Sequence, residues 1–154
     1  MPGKVKKKVM PRHLARRGVL MAMFAHQIGG ENDPEKLFNT VLSLDEIPPS
    51  VVDFFKELLL ATLNREKFAD EIIQKVIENW EIERISAVDR NILRIGITEF
   101  LDFPSISHKV TIDEAVELAK EFGSENSSKF VNGVIDASLR ELVAENLVEL
   151  DGEE

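Results

Sequence analysis

Apolar residues recur every three or four positions through most of this 154-residue sequence, in stretches separated by proline, glycine and helix-capping residues. This spacing puts apolar side chains on one face of an α-helix, whereas a half-buried strand would alternate at every second residue. No such alternation persists, and the abundance of leucine, isoleucine, alanine and glutamate also favours helices. The sequence therefore predicts an all-α fold.

Start and stop signals divide the first half of the chain into four of about seven predicted helices. The first is expected from about Pro11 or Arg12 to Ile28, where Gly29 and Gly30 end it, and the second over 34–44 after the N-cap Asp33. Two further amphipathic helices are expected over 51–64 and 68–77.

The second half contains the other predicted helices. Ser86 is a capping residue before a helix that is apolar on nearly every side, which is typical of a helix at the centre of a bundle. Thr111 and Glu114 have the spacing of a capping box and are expected to begin the next helix, with Gly123 in a left-handed conformation at its end. The last helix is expected from about Ser127.

We expect these helices to form two small packed bundles. The N-terminal unit is assigned to residues 12–79 and the C-terminal unit to 80–145. A basic, flexible tail (1–11) is expected to precede them, and an acidic, frayed segment (146–154) to follow.

The charges are unevenly distributed. Seven of the 19 lysine and arginine residues precede Glu31, which is the first of 28 acidic residues in a chain of net charge −9. Because an anionic body repels nucleic acid, a cationic first segment is suited to holding one face against a polyanion. The alternative is a solvated tail that only aids solubility, although the basic residues continue into the first predicted helix.

Patterns that carry catalytic chemistry are largely missing. Without cysteine there is no disulfide, thiolate metal site or cysteine nucleophile, and a reducing, cytoplasmic setting fits. Glycine-rich phosphate loops and nucleophile elbows do not occur, and His13, His26 and His108 are too scattered to predict a metal site. No apolar run approaches the ~18 residues of a membrane span. We expect no enzyme activity, cofactor, metal or membrane segment.

The segment 124–133 joins two predicted helices and is not explained by packing alone. It places Lys129, Phe130, Asn132 and Gly133 in the first turns of the last helix. Free amides and a lysine there suit phosphate, an asparagine suits a base edge, and an exposed phenylalanine stacks on a base. The other interpretation is that Phe130 belongs to the core, Asn132 caps the helix and Gly133 allows close helix packing.

Several strings resemble the NusB family of bacterial transcription antitermination factors. The first predicted helix also fits this family, so that the resemblance covers nearly the whole chain. The strings are WEIERISAVDRNILR at 80–94, EFL at 99–101, VTIDEAVELAK at 110–120 and SKFVNGVID at 128–136, with ARR at 15–17 and MFAHQ at 23–27 in the first helix.

This resemblance implies an all-helical fold of two small bundles and an RNA-binding antitermination factor. Such a protein would bind the boxA segment of ribosomal RNA leader transcripts together with NusE, a small-subunit ribosomal protein. The assembly would join the RNA polymerase elongation complex with NusA and NusG.

The resemblance also implies site residues. His13 and Leu14 interrupt a basic motif that is usually dense in arginine in the family, so the mode of RNA contact in this helix is open. Positions implied to contact RNA are Arg12, Arg16, Arg17 and Phe24 in the first helix and Lys129, Phe130 and Asn132 in the last. Glu83 and Asp89 are implied to contact NusE.

Two alternatives belong to other functional classes. A related RNA-recognition domain is attached to ribosomal RNA cytosine methyltransferases, but this chain lacks their cysteine nucleophile and cofactor domain and would be a stand-alone module. A purely structural helical adaptor would leave the cationic first segment unexplained, and salt-dependent RNA binding distinguishes it.

Overall fold

The computed structural model describes residues 10–78 and 81–151. Most of the predicted basic tail, the predicted boundary at 79 and 80, and the last three residues of the acidic segment lie outside the described residues. Over the described ranges the chain forms six α-helices, two 3-10 turns and no strand, which confirms the all-α prediction. The helices are α1 (Pro11–Gly29), α2 (Pro34–Leu44), α3 (Val52–Val76), α4 (Ala87–Asp102), α5 (His108–Phe122) and α6 (Ser127–Ala144), and the turns are Pro49–Val51 and Ile82–Arg84.

Local signals account for several helix ends. Asp33 accepts a hydrogen bond from the Glu35 amide at 3.0 Å before α2, and Ser86 accepts one from the Asp89 amide at 3.1 Å before α4. Gly30 ends α1 with a φ of 79°, a left-handed conformation that is accessible to glycine at little cost.

The two helices predicted over 51–64 and 68–77 are a single helix, α3, of 25 residues. No glycine or proline interrupts the polar stretch between Leu63 and Phe68, so the backbone continues its hydrogen bonding through it. Arg65, in this stretch, donates to both carboxylate oxygens of Asp102 at 3.0 and 2.7 Å and ties α3 to the end of α4.

The predicted start of α5 is also wrong. The helix begins at His108, one turn earlier, with Ser107 accepting a hydrogen bond from the Val110 amide at 3.2 Å. Thr111 therefore lies inside the helix, where its hydroxyl is buried and donates to Glu99 at 2.9 Å. Gly123 follows α5 with a φ of −91°, so it does not have the predicted left-handed conformation.

Helix α4 is at the centre of the molecule, as its apolar surface predicted. Residues 91–100 are all buried, and α4 packs against α1, α3, α5 and α6. A Cβ on Gly96 would lie 2.6 Å from Ile135 Cδ1, so the glycine lets α6 approach α4 closely. The buried apolar residues of the six helices form one continuous core around α4, and the division of the chain into two bundles at 79 and 80 stays a prediction.

The segment after α6 folds back onto the helices, although the sequence suggested that it frays. The Leu147 amide donates to the Leu142 carbonyl at 3.0 Å, and Asp151 accepts a hydrogen bond from the His108 amide at 2.7 Å. None of the described helices has the length and apolarity needed to cross a membrane.

Candidate nucleic-acid interface

Arg12 lies in the first turn of α1 and is exposed. Its guanidinium carbon is 4.3 Å from the ring centroid of Phe54 on α3, and Phe54 is itself buried. A guanidinium on an aromatic face keeps its N–H groups available at its edges. The contact therefore holds an exposed cation in a defined place.

Arg16, one turn later, is only 3% exposed and does not offer its charge to solvent. Its Nε and Nη2 donate to Glu99 on α4 at 2.7 and 3.0 Å, and its Nη1 lies 3.5 Å from a Glu114 oxygen on α5. The position predicted to contact RNA is thus a buried, bidentate ion pair that joins α1, α4 and α5. This placement corrects the expectation for Arg16.

Arg17 points to a different part of the surface. Its Nη2 donates to Asp45 at 3.2 Å, just after α2, and its side chain is partly exposed. Two of the three arginines predicted for RNA contact therefore make intramolecular ion pairs.

Two grooves flank α5. The first, the arginine groove, has a volume of about 740 Å³, and the second, the lysine groove, about 580 Å³. The arginine groove is lined by Met10, Pro11, Arg12, His13, Arg16, Ser50, Val51, Ser105, Ile106, Ser107, Val110, Asp113 and Glu114. The lysine groove is lined by Asp113, Glu114, Val116, Glu117, Lys120, Ser128, Lys129 and Asn132.

Asp113 and Glu114 line both grooves, so the grooves meet on α5. Arg12 borders one groove, and Lys129 and Asn132, which are exposed on α6, border the other. The fold thus brings together two of the sequence's predicted clusters, which are more than 100 positions apart.

His13 bridges two carboxylates on α5 beside the place where the grooves meet. Its Nδ1 is 2.8 Å from Glu114, and its Nε2 contacts Glu121. Each carboxylate needs an N–H, and a neutral imidazole has only one, so the geometry calls for the imidazolium. The hydrogen bond with Glu114 accordingly raises the pKa of His13 despite its burial. Burial raises the pKa of Glu114, but His13 and Arg16 together lower it below its ordinary value.

The sequence does not reveal this cluster. In the sequence, His13 interrupts a basic motif, and Glu114 has the spacing of a capping box. Their pairing spans 101 positions, and no local pattern announces a contact between separate helices. The signal that could have found it is the position of His13 on the same helix face as buried residues.

The aromatic residues take intermediate positions. Phe130 is half-buried and packs against the core, so it combines features of both interpretations left open by the sequence. Phe24 is 41% exposed in a separate apolar groove of about 370 Å³. That groove is lined by Leu20, Met21, Phe24, Val88 and Phe122. Phe24 is 12 residues after Arg12, so the two lie about 18 Å apart along α1.

The two residues predicted to contact a protein partner differ in accessibility. Glu83 is exposed in the turn Ile82–Arg84. Asp89 is 8% exposed, and its Oδ2 accepts a hydrogen bond from the Ser127 hydroxyl at 3.1 Å. Asp89 therefore ties the start of α6 to α4, which corrects its expected place on the surface.

The fold and this site define an all-α protein with a polar surface across two grooves. Among the residues that the structure describes, no group of three or more histidine and acidic side chains could hold a metal ion.

A model of the NusB family matches residues 13–140. The transcription antitermination protein NusB of Salinibacter ruber is 43% identical over 133 residues, which cover 85% of this chain and 82% of that protein.

Solved structures agree. Thermotoga maritima NusB has a TM-score of 0.75 at 32% identity and covers 87% of this chain and 94% of its own. A structure of the antitermination factors NusB and NusE in complex with double-stranded RNA contains a chain with a TM-score of 0.76 at 28% identity. The match covers 85% of this chain and 97% of that one. The chain therefore belongs to the NusB family of transcription antitermination proteins and is not an enzyme.

Proposed function

We propose that this protein binds boxA-type single-stranded RNA of ribosomal RNA leader transcripts together with NusE. In this proposal it acts in the cytoplasm and joins the RNA polymerase elongation complex with NusA and NusG. Membership of the NusB family supports it, as does the related complex that contains NusB, NusE and RNA.

The observation that carries the RNA part is the meeting of the two grooves on α5. Arg12 on one side and Lys129 and Asn132 on the other could contact one strand that crosses Asp113 and Glu114. These carboxylates would repel phosphate, but Glu114 is paired with His13 and Arg16, and Asp113 with Lys109 at 2.9 Å. Most of the negative charge of Asp113 and Glu114, where the strand would cross α5, is thus offset by neighbouring cations.

The roles follow from accessibility. Arg12 and Lys129 are exposed cations suited to phosphate, and Asn132 can pair with a base edge. Phe130 offers part of its ring for stacking while it anchors α6. Arg16 is a positioning residue. Its buried ion pair holds the first turns of α1 against the core, and Arg12 lies on the first of these turns.

The protein partner would use a different surface. Exposed Glu83 offers a negative charge to NusE. Ribosomal proteins are usually basic, so an acidic surface is complementary to one. Phe24, which is 41% exposed in its apolar groove, stays a proposed RNA contact further along α1. Asp89 would contribute by holding the start of α6 in place.

The test measures binding of a fluorescent boxA-type single-stranded RNA across a salt series, with and without NusE. Arg12→Ala and Lys129→Ala should each weaken binding and reduce the slope of log K against log salt by about 0.7, one phosphate contact each. Arg140→Ala is the matched control, because Arg140 is an exposed arginine on α6 that pairs with Asp136 and lines neither groove.

NusE should increase the RNA affinity of the wild type, and a duplex of the same sequence tests the preference for a single strand. The proposal would be refuted if Arg12→Ala and Lys129→Ala bound RNA as tightly as Arg140→Ala at low salt.

A further inference from the structure

The two grooves beside α5 differ in the chemistry of their lining. The arginine groove has apolar side chains from α1, from α5 and from the turns before α3 and α5, namely Pro11, Val51, Ile106 and Val110. Among the described residues that line the lysine groove, Val116 is the one apolar member, and the others are charged or carry amide or hydroxyl groups. The lysine groove thus suits phosphate, whereas the arginine groove offers apolar surface beside a cation.

Arg12 gives the arginine groove a flat face as well as a charge. Its guanidinium carbon lies 4.3 Å from the ring centroid of Phe54, so one face of the guanidinium rests on that ring. Phe54 is buried and makes an edge contact with Phe103, with 5.8 Å between the ring centroids. This packing holds the ring in place. Arg12 itself is exposed and lines the groove, so the outer face of its guanidinium is left for a ligand.

A nucleotide of a single strand matches both the apolar lining and the cation. Proteins bind unstacked bases by stacking them on aromatic rings and on arginine guanidinium planes. The phosphate of the same strand is anionic and can accept from the N–H groups at the guanidinium edge. The groove volume of about 740 Å³ lies within the roughly 300–1,000 Å³ of sites that enclose small organic molecules. Arg12 can therefore stack on a base and contact a phosphate at once.

Hydroxyl groups supply polar contacts for the edge of a base. Ser50, Ser105 and Ser107 line the groove and are exposed. Ser107 already accepts the Val110 amide hydrogen bond at 3.2 Å. A hydroxyl can both donate and accept, so these side chains can meet the edges of more than one kind of base. The groove is thus suited to a nucleobase as a class.

We propose that the arginine groove holds one unstacked nucleobase of the bound RNA, stacked on the outer face of Arg12 and flanked by Val51 and Val110. This inference rests on the proposed RNA-binding function and adds a base subsite to it. The base is separate from any base that α6 contacts, because α5 lies between the two grooves. A duplex keeps its bases paired and stacked, so the subsite favours a single strand.

The test is an abasic scan of a fluorescent boxA-type single-stranded RNA, in which one nucleotide at a time lacks its base and keeps its phosphate. Full-length wild type, Arg12→Lys and Val110→Ala are titrated with each RNA. Arg12→Lys keeps the charge and removes the planar face, and Val110→Ala shortens the groove wall. Arg140→Lys is the control for the first variant. Leu60→Ala is the control for the second, because Leu60 and Val110 are each 45% exposed and Leu60 lines neither groove.

At one position or more, we expect the missing base to weaken wild-type binding by roughly tenfold, as for the loss of one stacking contact. At that position it should weaken Arg12→Lys by at most about twofold, because lysine has no face on which a base can stack. Val110→Ala should show an intermediate loss there, and both controls should repeat the wild-type scan. The slope of log K against log salt should be the same for Arg12→Lys and the wild type, because the charge is kept.

The inference is overturned if each missing base weakens Arg12→Lys as much as the wild type, or if no missing base weakens the wild type. Failure of the proposed function looks different. In that case Arg12→Ala binds the intact RNA as tightly as Arg140→Ala does.

Discussion

Replacing Arg16 by methionine separates a structural role from an RNA-binding role. The sequence places Arg16 in a basic motif, but in the fold its guanidinium is buried against Glu99, which is 2% exposed. Arg16→Met puts an unbranched apolar side chain in place of the arginine and removes both guanidinium hydrogen bonds to Glu99. Glu99 still accepts the hydrogen bond from the Thr111 hydroxyl at 2.9 Å.

The magnitude follows from the burial of both partners. Removing one member of a buried ion pair leaves an uncompensated charge and costs about 3–5 kcal/mol of unfolding free energy. A chain of this size loses roughly 2–4 °C of melting temperature per kcal/mol, so we expect a fall of about 6–20 °C. Arg12→Ala should cost under about 1 kcal/mol, because it loses only an exposed cation–π contact with Phe54.

Thermal and urea denaturation of Arg16→Met, Glu99→Gln and the double variant completes the measurement. The double variant should recover much of the loss, because both charges are gone while the amide oxygen introduced by Glu99→Gln can still accept from Thr111. RNA affinity is then measured below each melting temperature. Arg16→Met melting within about 2 °C of the wild type, with RNA affinity reduced as far as in Arg12→Ala, would refute the reasoning.

Three further outcomes are expected. The pKa of His13 in the folded state is raised above its unfolded value near 6.5. Protonated His13 therefore stabilises the fold fully below about pH 6.5, and this contribution declines as the pH rises through the raised pKa. His13→Gln should remove this pH dependence of the unfolding free energy in urea titrations. Phe130→Ala should lower stability by about 1–2 kcal/mol, less than a fully buried phenylalanine, and weaken RNA binding measured below the melt; a loss in only one of the two assays would assign the ring to that role alone. Gly123→Ala should lower the unfolding free energy by about 1–3 kcal/mol, because the new Cβ would lie 2.7 Å from the Ala119 carbonyl oxygen. An unchanged melting temperature would contradict this.

Short-range signals in the sequence predicted much of the fold. Asp33, Ser86 and Gly30 act through atoms a few residues away, so their effect can be inferred without knowing the tertiary structure. The apolar surface of α4 likewise predicted its central position. The division of α3 and the start of α5 were wrong because polar residues that resembled helix ends are instead satisfied by neighbouring helices, as Thr111 is by Glu99.

The residues of the candidate site were likewise predicted only in part. Charge distribution and residue type pointed to Arg12, Lys129 and Asn132, which are exposed, because the charge and hydrogen-bonding capacity of a side chain belong to the residue itself. Only the tertiary structure decided that Arg16 and Asp89 are buried. Their partners, Glu99 and Ser127, are 83 and 38 positions away, and the burial of a charge depends on which helices pack around it. The sequence by itself thus determined the helices and the supply of charge, and the packing of α4 and α5 determined which charges remain free to bind.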